Sequence, residues 1–163
     1  MGRHRLSDIY TTFGASRAVR HPRADYGSDP DIHVVIAAVS GKAFENADLA
    51  RQVCQSVQVV SEQLGYRLYG YCLMPDHLHV LLSPADSRVE LGTWLQRFKS
   101  FTAHWAKRRC GITGLWQRSC YDHVCREGET AEGVLRYILD NPVRAGLVDE
   151  WQAWPWSGVF MDV

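Results

Sequence analysis

The stretch Tyr71-Cys-Leu-Met-Pro-Asp-His-Leu-His-Val-Leu-Leu-Ser83 decides how the rest of this chain is read. Tyr66 to Leu73 reads as a tyrosine-rich strand, Met74-Pro75-Asp76 carries turn chemistry, and His77 to Ser83 returns as a second strand. Side chains alternate across a strand. His77 and His79 therefore project from one face, while Leu78, Val80 and Leu82 project from the other, into a core. Two imidazoles side by side on a rigid strand make half of a metal site.

Before this hairpin, Ile32 to Ala38 is apolar and β-branched, a buried strand that Ser40-Gly41 interrupts. A helix follows from about Asn46 to Leu64, with Leu49, Val53, Val57, Val60 and Leu64 on one stripe and Gly65 as its stop. After the hairpin, Pro84 ends the strand. A long helix is expected from about Val89 to Arg109, with Leu91, Trp94, Leu95, Phe98, Phe101 and Trp105 on its apolar face. Tyr121 to Cys125 suits a short strand, and Thr130 can cap a last helix running to about Asn141, where Pro142 opposes continuation. The order β-α-β-β-α-β-α predicts an α+β domain, an antiparallel-rich sheet with helices packed on one face. Residues 1–30 contain Arg17, Arg20 and Arg23 without an apolar period and are expected to form an irregular arm; residues 31–163 form a single domain.

Totals narrow the function. A chain of 163 residues with 46% apolar content is one globular domain. No apolar run approaches the roughly 18–20 residues that cross a bilayer, and the first ten residues have no signal-peptide core, so a cytoplasmic location is expected. Five cysteines, an odd set without framework spacing, fit a reducing compartment. Cys110, Cys120, His123 and Cys125 match no usual zinc-finger spacing. The net charge is zero but uneven. Eight basic residues lie between Arg88 and Arg126 against Glu90 and Asp122, and seven acids follow from Glu127 onward against Arg136 and Arg144. Such a split can give one phosphate-binding face or an ordinary solvated surface.

Tyr137 and Asn141 are four residues apart on the last helix and share a face. A phenol can act as a covalent nucleophile, and an asparagine oxygen can be a third ligand for a hard divalent cation. If this helix packs on the His77/His79 face, the parts assemble for phosphodiester cleavage. Tyr137 attacks phosphorus in line with the leaving 3′ oxygen, leaving a 5′-phosphotyrosine link and a free 3′-OH. An attacked phosphodiester is anionic, so a cation is needed to neutralise it. Each half alone is more often core packing or an incidental pair; together each supplies what the other lacks.

Three stretches resemble the HUH single-tyrosine transposases, most closely the REP-associated tyrosine transposases. Tyr71 to Leu82 resembles the metal-binding strand, with His77 and His79 as the histidine pair. Leu115-Trp-Gln-Arg-Ser-Cys-Tyr-Asp-His-Val124 resembles the central tryptophan-glutamine-arginine segment. Arg136-Tyr-Ile-Leu-Asp-Asn-Pro-Val-Arg-Ala-Gly-Leu-Val148 resembles the tyrosine helix, with Tyr137 as nucleophile and Asn141 as third ligand. The resemblance implies a ferredoxin-like sheet, Mg²⁺ or Mn²⁺ as cofactor, and cleavage and rejoining of single-stranded DNA at hairpin-forming palindromic repeats. It also implies association with the nucleoid and action as a monomer or a homodimer.

Within that expectation, Arg97, Lys99, Lys107, Arg108, Arg118 and Arg144 are candidate contacts to the DNA backbone, and Trp116 a candidate base-stacking residue. Trp151, Trp154 and Trp156 are expected to clamp the tail onto the core, and His33 to be a satisfied core histidine. A repeat-binding DNA protein without cleavage is the alternative function. A metal-dependent hydrolase unrelated to DNA is a third.

Overall fold

Ile32–Ala37 (β1) is buried along its whole length, as a strand flanked on both edges and covered on both faces must be. The computed structural model describes residues 30–84 and 87–161; the expected N-terminal arm with Arg17, Arg20 and Arg23 lies outside them. After a 3₁₀ turn at Ala43–Glu45 comes Ala47–Gln63 (α1), then Arg67–Leu73 (β2) and His77–Ser83 (β3), the predicted hairpin. Leu91–Cys110 (α2), Tyr121–Val124 (β4), Ala131–Leu139 (α3), Asn141–Arg144 (α4) and Ser157–Val159 (β5) complete the order. The sheet runs β4-β1-β3-β2-β5, and every neighbouring pair is antiparallel.

Local chemistry sets the helix ends. The Asn46 side chain accepts from the Asp48 and Leu49 amides at 3.1 and 3.0 Å, capping α1. Gly111, at φ 69°, ends α2 in a left-handed conformation that costs glycine little, and Lys107, Arg108 and Arg109 face the negative end of that helix. Thr130 Oγ1 accepts from the Gly133 amide at 3.1 Å, the predicted cap of α3.

Alternation on β3 divides the molecule into two cores. Leu78, Val80 and Leu82 join Leu49, Val53, Val57, Trp94 and Phe98 beneath α1 and α2. Leu81 joins Cys72, Met74, Val134, Leu135, Ile138 and Leu139 beneath α3. The two long helices share one face as expected. The expectation of all helices on that face does not hold for α3, whose own apolar stripe covers the opposite side. Gly70 marks how close that approach is: a Cβ there would stand 2.5 Å from Leu135 Cδ1 and 2.8 Å from the Gly158 carbonyl oxygen.

The tail also differs from expectation. The tryptophans do clamp it, since Trp154 Nε1 donates to the Leu73 carbonyl at 2.9 Å and the Leu73 amide to the Trp156 carbonyl at 2.8 Å. That clamp becomes a fifth strand, β5, along β2. The last helix stops at Leu139 and restarts as α4 with Pro142 in its first turn.

Candidate active site

Asp76, in the hairpin turn, holds His77: its carboxylate lies 2.5 Å from His77 Nδ1. A carboxylate only accepts, so His77 Nδ1 carries a proton, and Nε2 is the nitrogen left facing His79. That nitrogen lies 3.0 Å from His79 Nε2. His79 Nδ1 in turn lies 3.0 Å from Nε2 of His33 on β1. His79 and His33 have no exposed surface and His77 only 8%. Burial, with His77, His33 and Arg144 close by, holds His79 well below the usual imidazole range. Burial and the neighbouring His123, against a weaker opposing pull from Glu129, push His33 down to about 3. Both rings are thus neutral near pH 7, the form that can donate a lone pair to a metal.

Two ring nitrogens 3.0 Å apart are spaced as adjacent ligands of one divalent ion, for which metal–nitrogen distances are about 2.1 Å. Each ring's other nitrogen is held from behind, as metal-binding histidines require. Among the described residues, no three His, Cys, Asp or Glu side chains gather into a metal cage.

The tyrosine helix lies over this face. Pro142 has no N–H for the Ile138 carbonyl; Asn141 Nδ2 donates to that carbonyl at 2.9 Å and to the Tyr137 carbonyl at 3.2 Å. Its amide nitrogen is thereby fixed, and Oδ1 accepts from Arg144 Nη2 at 2.9 Å. The Arg144 Cζ is 3.8 Å from the centre of the Tyr137 ring. One guanidinium therefore contacts both Tyr137 and Asn141, and its charge is felt at His79.

The other candidates divide by environment. Arg97, Lys107 and Arg108 are exposed on α2, which covers the sheet face opposite the histidine pair. Lys99 is engaged with its own chain. Its ammonium donates to the carbonyls of Gln117, Arg118 and Ser119 at 3.0–3.4 Å and is half-buried. Trp116, half-buried, is also held by protein contacts: Nε1 donates to Thr102 Oγ1 at 2.8 Å, and its ring packs on Phe44 and Phe98. Gln117 bonds to the Ala37 and Ala38 carbonyls, and Ala37 is the strand partner of His77. The exposed Arg118 therefore follows directly at the histidine end of the sheet.

The sequence did not show Asp76, His33, His123 and Glu129 as a network around the histidine pair. Asp76 was legible as the neighbour of His77 but read as turn chemistry. His33 was read as a core histidine, which it is, but nothing local to β1 reveals that it meets His79. His123 Nε2 lies 2.7 Å from Glu129 Oε2 and stands opposite His33 across β1 and β4.

A buried histidine pair thus lies on a central antiparallel strand, with α3 and its Tyr137 packed on the same face of the sheet. Residues 28–141 match the profile of the family described as "Transposase IS200 like", and the chain belongs to that family. Among its relatives, a protein of Haemophilus influenzae provisionally described as a REP-associated tyrosine transposase is 25% identical over 112 residues, 63% of this chain and 64% of the relative. The REP-associated tyrosine transposase of Escherichia coli is 25% identical over 99 residues, 60% of this chain and 57% of the relative. The chain thus matches less than two thirds of either relative's length. In fold, it superposes on a REP-associated tyrosine transposase bound to a REP hairpin with TM-score 0.67 at 18% identity, covering 85% of this chain and 82% of the other. No helix among the described residues is long and apolar enough to cross a membrane.

Proposed function

We propose that this chain is a metal-dependent single-stranded DNA endonuclease and strand transferase that cuts and rejoins DNA at hairpin-forming repeats. The observation that carries the reading is the seating of Tyr137 and Asn141 over the His77/His79 face, joined there by Arg144. Membership of the transposase family and the likeness to a hairpin-bound relative support the substrate class.

His77 and His79, through Nε2, and Asn141, through Oδ1, would hold Mg²⁺ or Mn²⁺, which supplies positive charge to a phosphodiester oxygen. Asp76 keeps the His77 lone pair directed at that position. In holding the cation Asn141 Oδ1 would give up its bond from Arg144, whose guanidinium would then be available to bind an anionic oxygen of the DNA. The Tyr137 phenol oxygen attacks phosphorus. The bond to the 3′ oxygen breaks, the phenolic proton is carried to that oxygen, and DNA remains linked to Tyr137 through its 5′ phosphate. Arg118, at the histidine end of the sheet, guides the strand by phosphate contact, and Lys99 and Trp116 hold the segment that presents it. The exposed Arg97, Lys107 and Arg108, on the opposite face, would meet only DNA that extends past the site.

The test is cleavage of a single-stranded repeat hairpin on a denaturing gel, with Mn²⁺ or EDTA. Wild type should form a metal-dependent covalent adduct, and Tyr137→Phe should bind the hairpin without forming it. Binding by wild type without any adduct, across metals and repeats, would favour a repeat-binding protein instead. The packing of α3 on its own chain's sheet supports a tyrosine that acts on its own chain's site. A mixture of Tyr137→Phe and His77→Ala proteins should stay inactive; recovered cleavage would mean a dimer that exchanges its tyrosine helices.

A further inference from the structure

We infer that His33 is a positioning residue that fixes which nitrogen of His79 is offered to a metal. This rests on the reading of His77 and His79 as metal ligands and deepens it. Three imidazoles form an unbroken line, His77 Nε2 to His79 Nε2 at 3.0 Å and His79 Nδ1 to His33 Nε2 at 3.0 Å. They come from two strands: His77 and His79 sit on β3, and His33 on β1 is two positions along from Val35, the partner of His79.

Proton bookkeeping gives the line two states. With a neutral His77, the Asp76 carboxylate takes the one ring proton on Nδ1, and His77 Nε2 accepts. With no metal, His79 Nε2–H donates to it, and His79 Nδ1 accepts from His33 Nε2–H. With a metal at both Nε2 atoms, His79 must carry its proton on Nδ1. His33 must then accept it at Nε2 with its own proton on Nδ1. Metal-binding histidines commonly place a carboxylate or carbonyl behind the ring. An imidazole there is different in kind, because it can serve as donor in one state and acceptor in the other without adding charge. His33 is itself confined: it has no exposed surface, it stacks on His79 with ring centres 5.3 Å apart, and its cross-strand partner His123 is held by Glu129. The sheet therefore supplies a confined, neutral imidazole behind His79.

The experiment measures Mn²⁺ binding by electron paramagnetic resonance without DNA, alongside ¹⁵N NMR of the histidine rings with and without Mg²⁺. Wild-type His79 should change from the Nε2–H to the Nδ1–H form when Mg²⁺ binds, and His33 should change with it. His33→Leu should weaken Mn²⁺ binding about 10–100-fold, and His33→Gln, which keeps both a donor and an acceptor, should recover most of that loss. A His33 ring whose tautomer is unaffected by Mg²⁺ in the wild type overturns the inference, whether or not His33→Leu folds. So does a folded His33→Leu protein that binds Mn²⁺ as tightly as wild type. Wild type and His77→Ala binding Mn²⁺ equally would overturn the metal reading itself, an outcome distinct from either.

Discussion

Asn141 meets two demands with the two ends of one amide. Its nitrogen replaces the N–H that Pro142 withholds from Ile138, and its oxygen faces Arg144 at the site. Asn141→Ala leaves helix carbonyls without that donor and should cost about 1–3 kcal/mol in urea unfolding, besides lowering metal affinity. Asn141→Asp offers a stronger metal oxygen but turns an acceptor toward carbonyls; it should bind Mn²⁺ more tightly than the Ala variant while being no more stable. Gly70→Ala tests a different contact. The new methyl would meet Leu135 and the Gly158 carbonyl oxygen, one flexible and one backbone, so a loss of about 1–3 kcal/mol is expected from overpacking. Spacing alone brought Tyr137 and Asn141 onto one face; the pairing of Asn141 with the carbonyl freed by proline was equally readable. The His33 contact was not, because it spans 46 positions and depends on strand register.

At the scale of elements, α3 carries the proposed nucleophile, and its start is a single hydroxyl. Thr130→Ala should cost about 1 kcal/mol and, by loosening the first turn, raise amide exchange in α3 before it affects α1 or α2. Equal exchange throughout would mean that α3 is held by its apolar stripe alone. Both long helices and the hairpin were legible because each has a strong period and a chemical stop: Asn46 and Gly65 around α1, Pro84 and Gly111 around α2, Pro75-Asp76 in the turn. What the sequence did not settle was on which face each helix lands. A helix shows its apolar stripe, but either side of an apolar sheet satisfies it. Only β3, with histidines on one side and leucine and valine on the other, hints that the two faces differ. Three residues of β5 are too short for alternation to show, so the tail read only as a tryptophan clamp.

The whole molecule carries two imidazoles that burial keeps neutral, and this ties its stability to pH. The folded-state values of His33 and His79 lie below the ordinary 6.5, so both prefer to stay unprotonated when folded. Above pH 6.5 neither folded nor unfolded chain holds these protons, and nothing is lost. Below it the unfolded chain takes protons that the folded one refuses. Each histidine then removes up to about 1.4 kcal/mol per pH unit, continuing for His33 toward its folded value of about 3. Denaturant melts in EDTA from pH 7.5 to 5 should show this slope, and His33→Gln should show a shallower one. An identical slope in the variant would mean that other groups dominate acid unfolding.

The fifth strand separates ancestry from folding. The family match ends at residue 141, yet β5, at Ser157–Val159, is what covers the outer edge of β2. A chain cut after Gly146 keeps every candidate reacting group and loses both bonds between Leu73 and the Trp154/Trp156 segment. It would expose a bare strand edge beside buried tyrosine and cysteine, a template for pairing with other chains. The inherited catalytic segment should therefore be insoluble by itself, and its solubility should return when residues 147–161 are supplied as a separate peptide. What looks like a tail is the seal that keeps this sheet from polymerising.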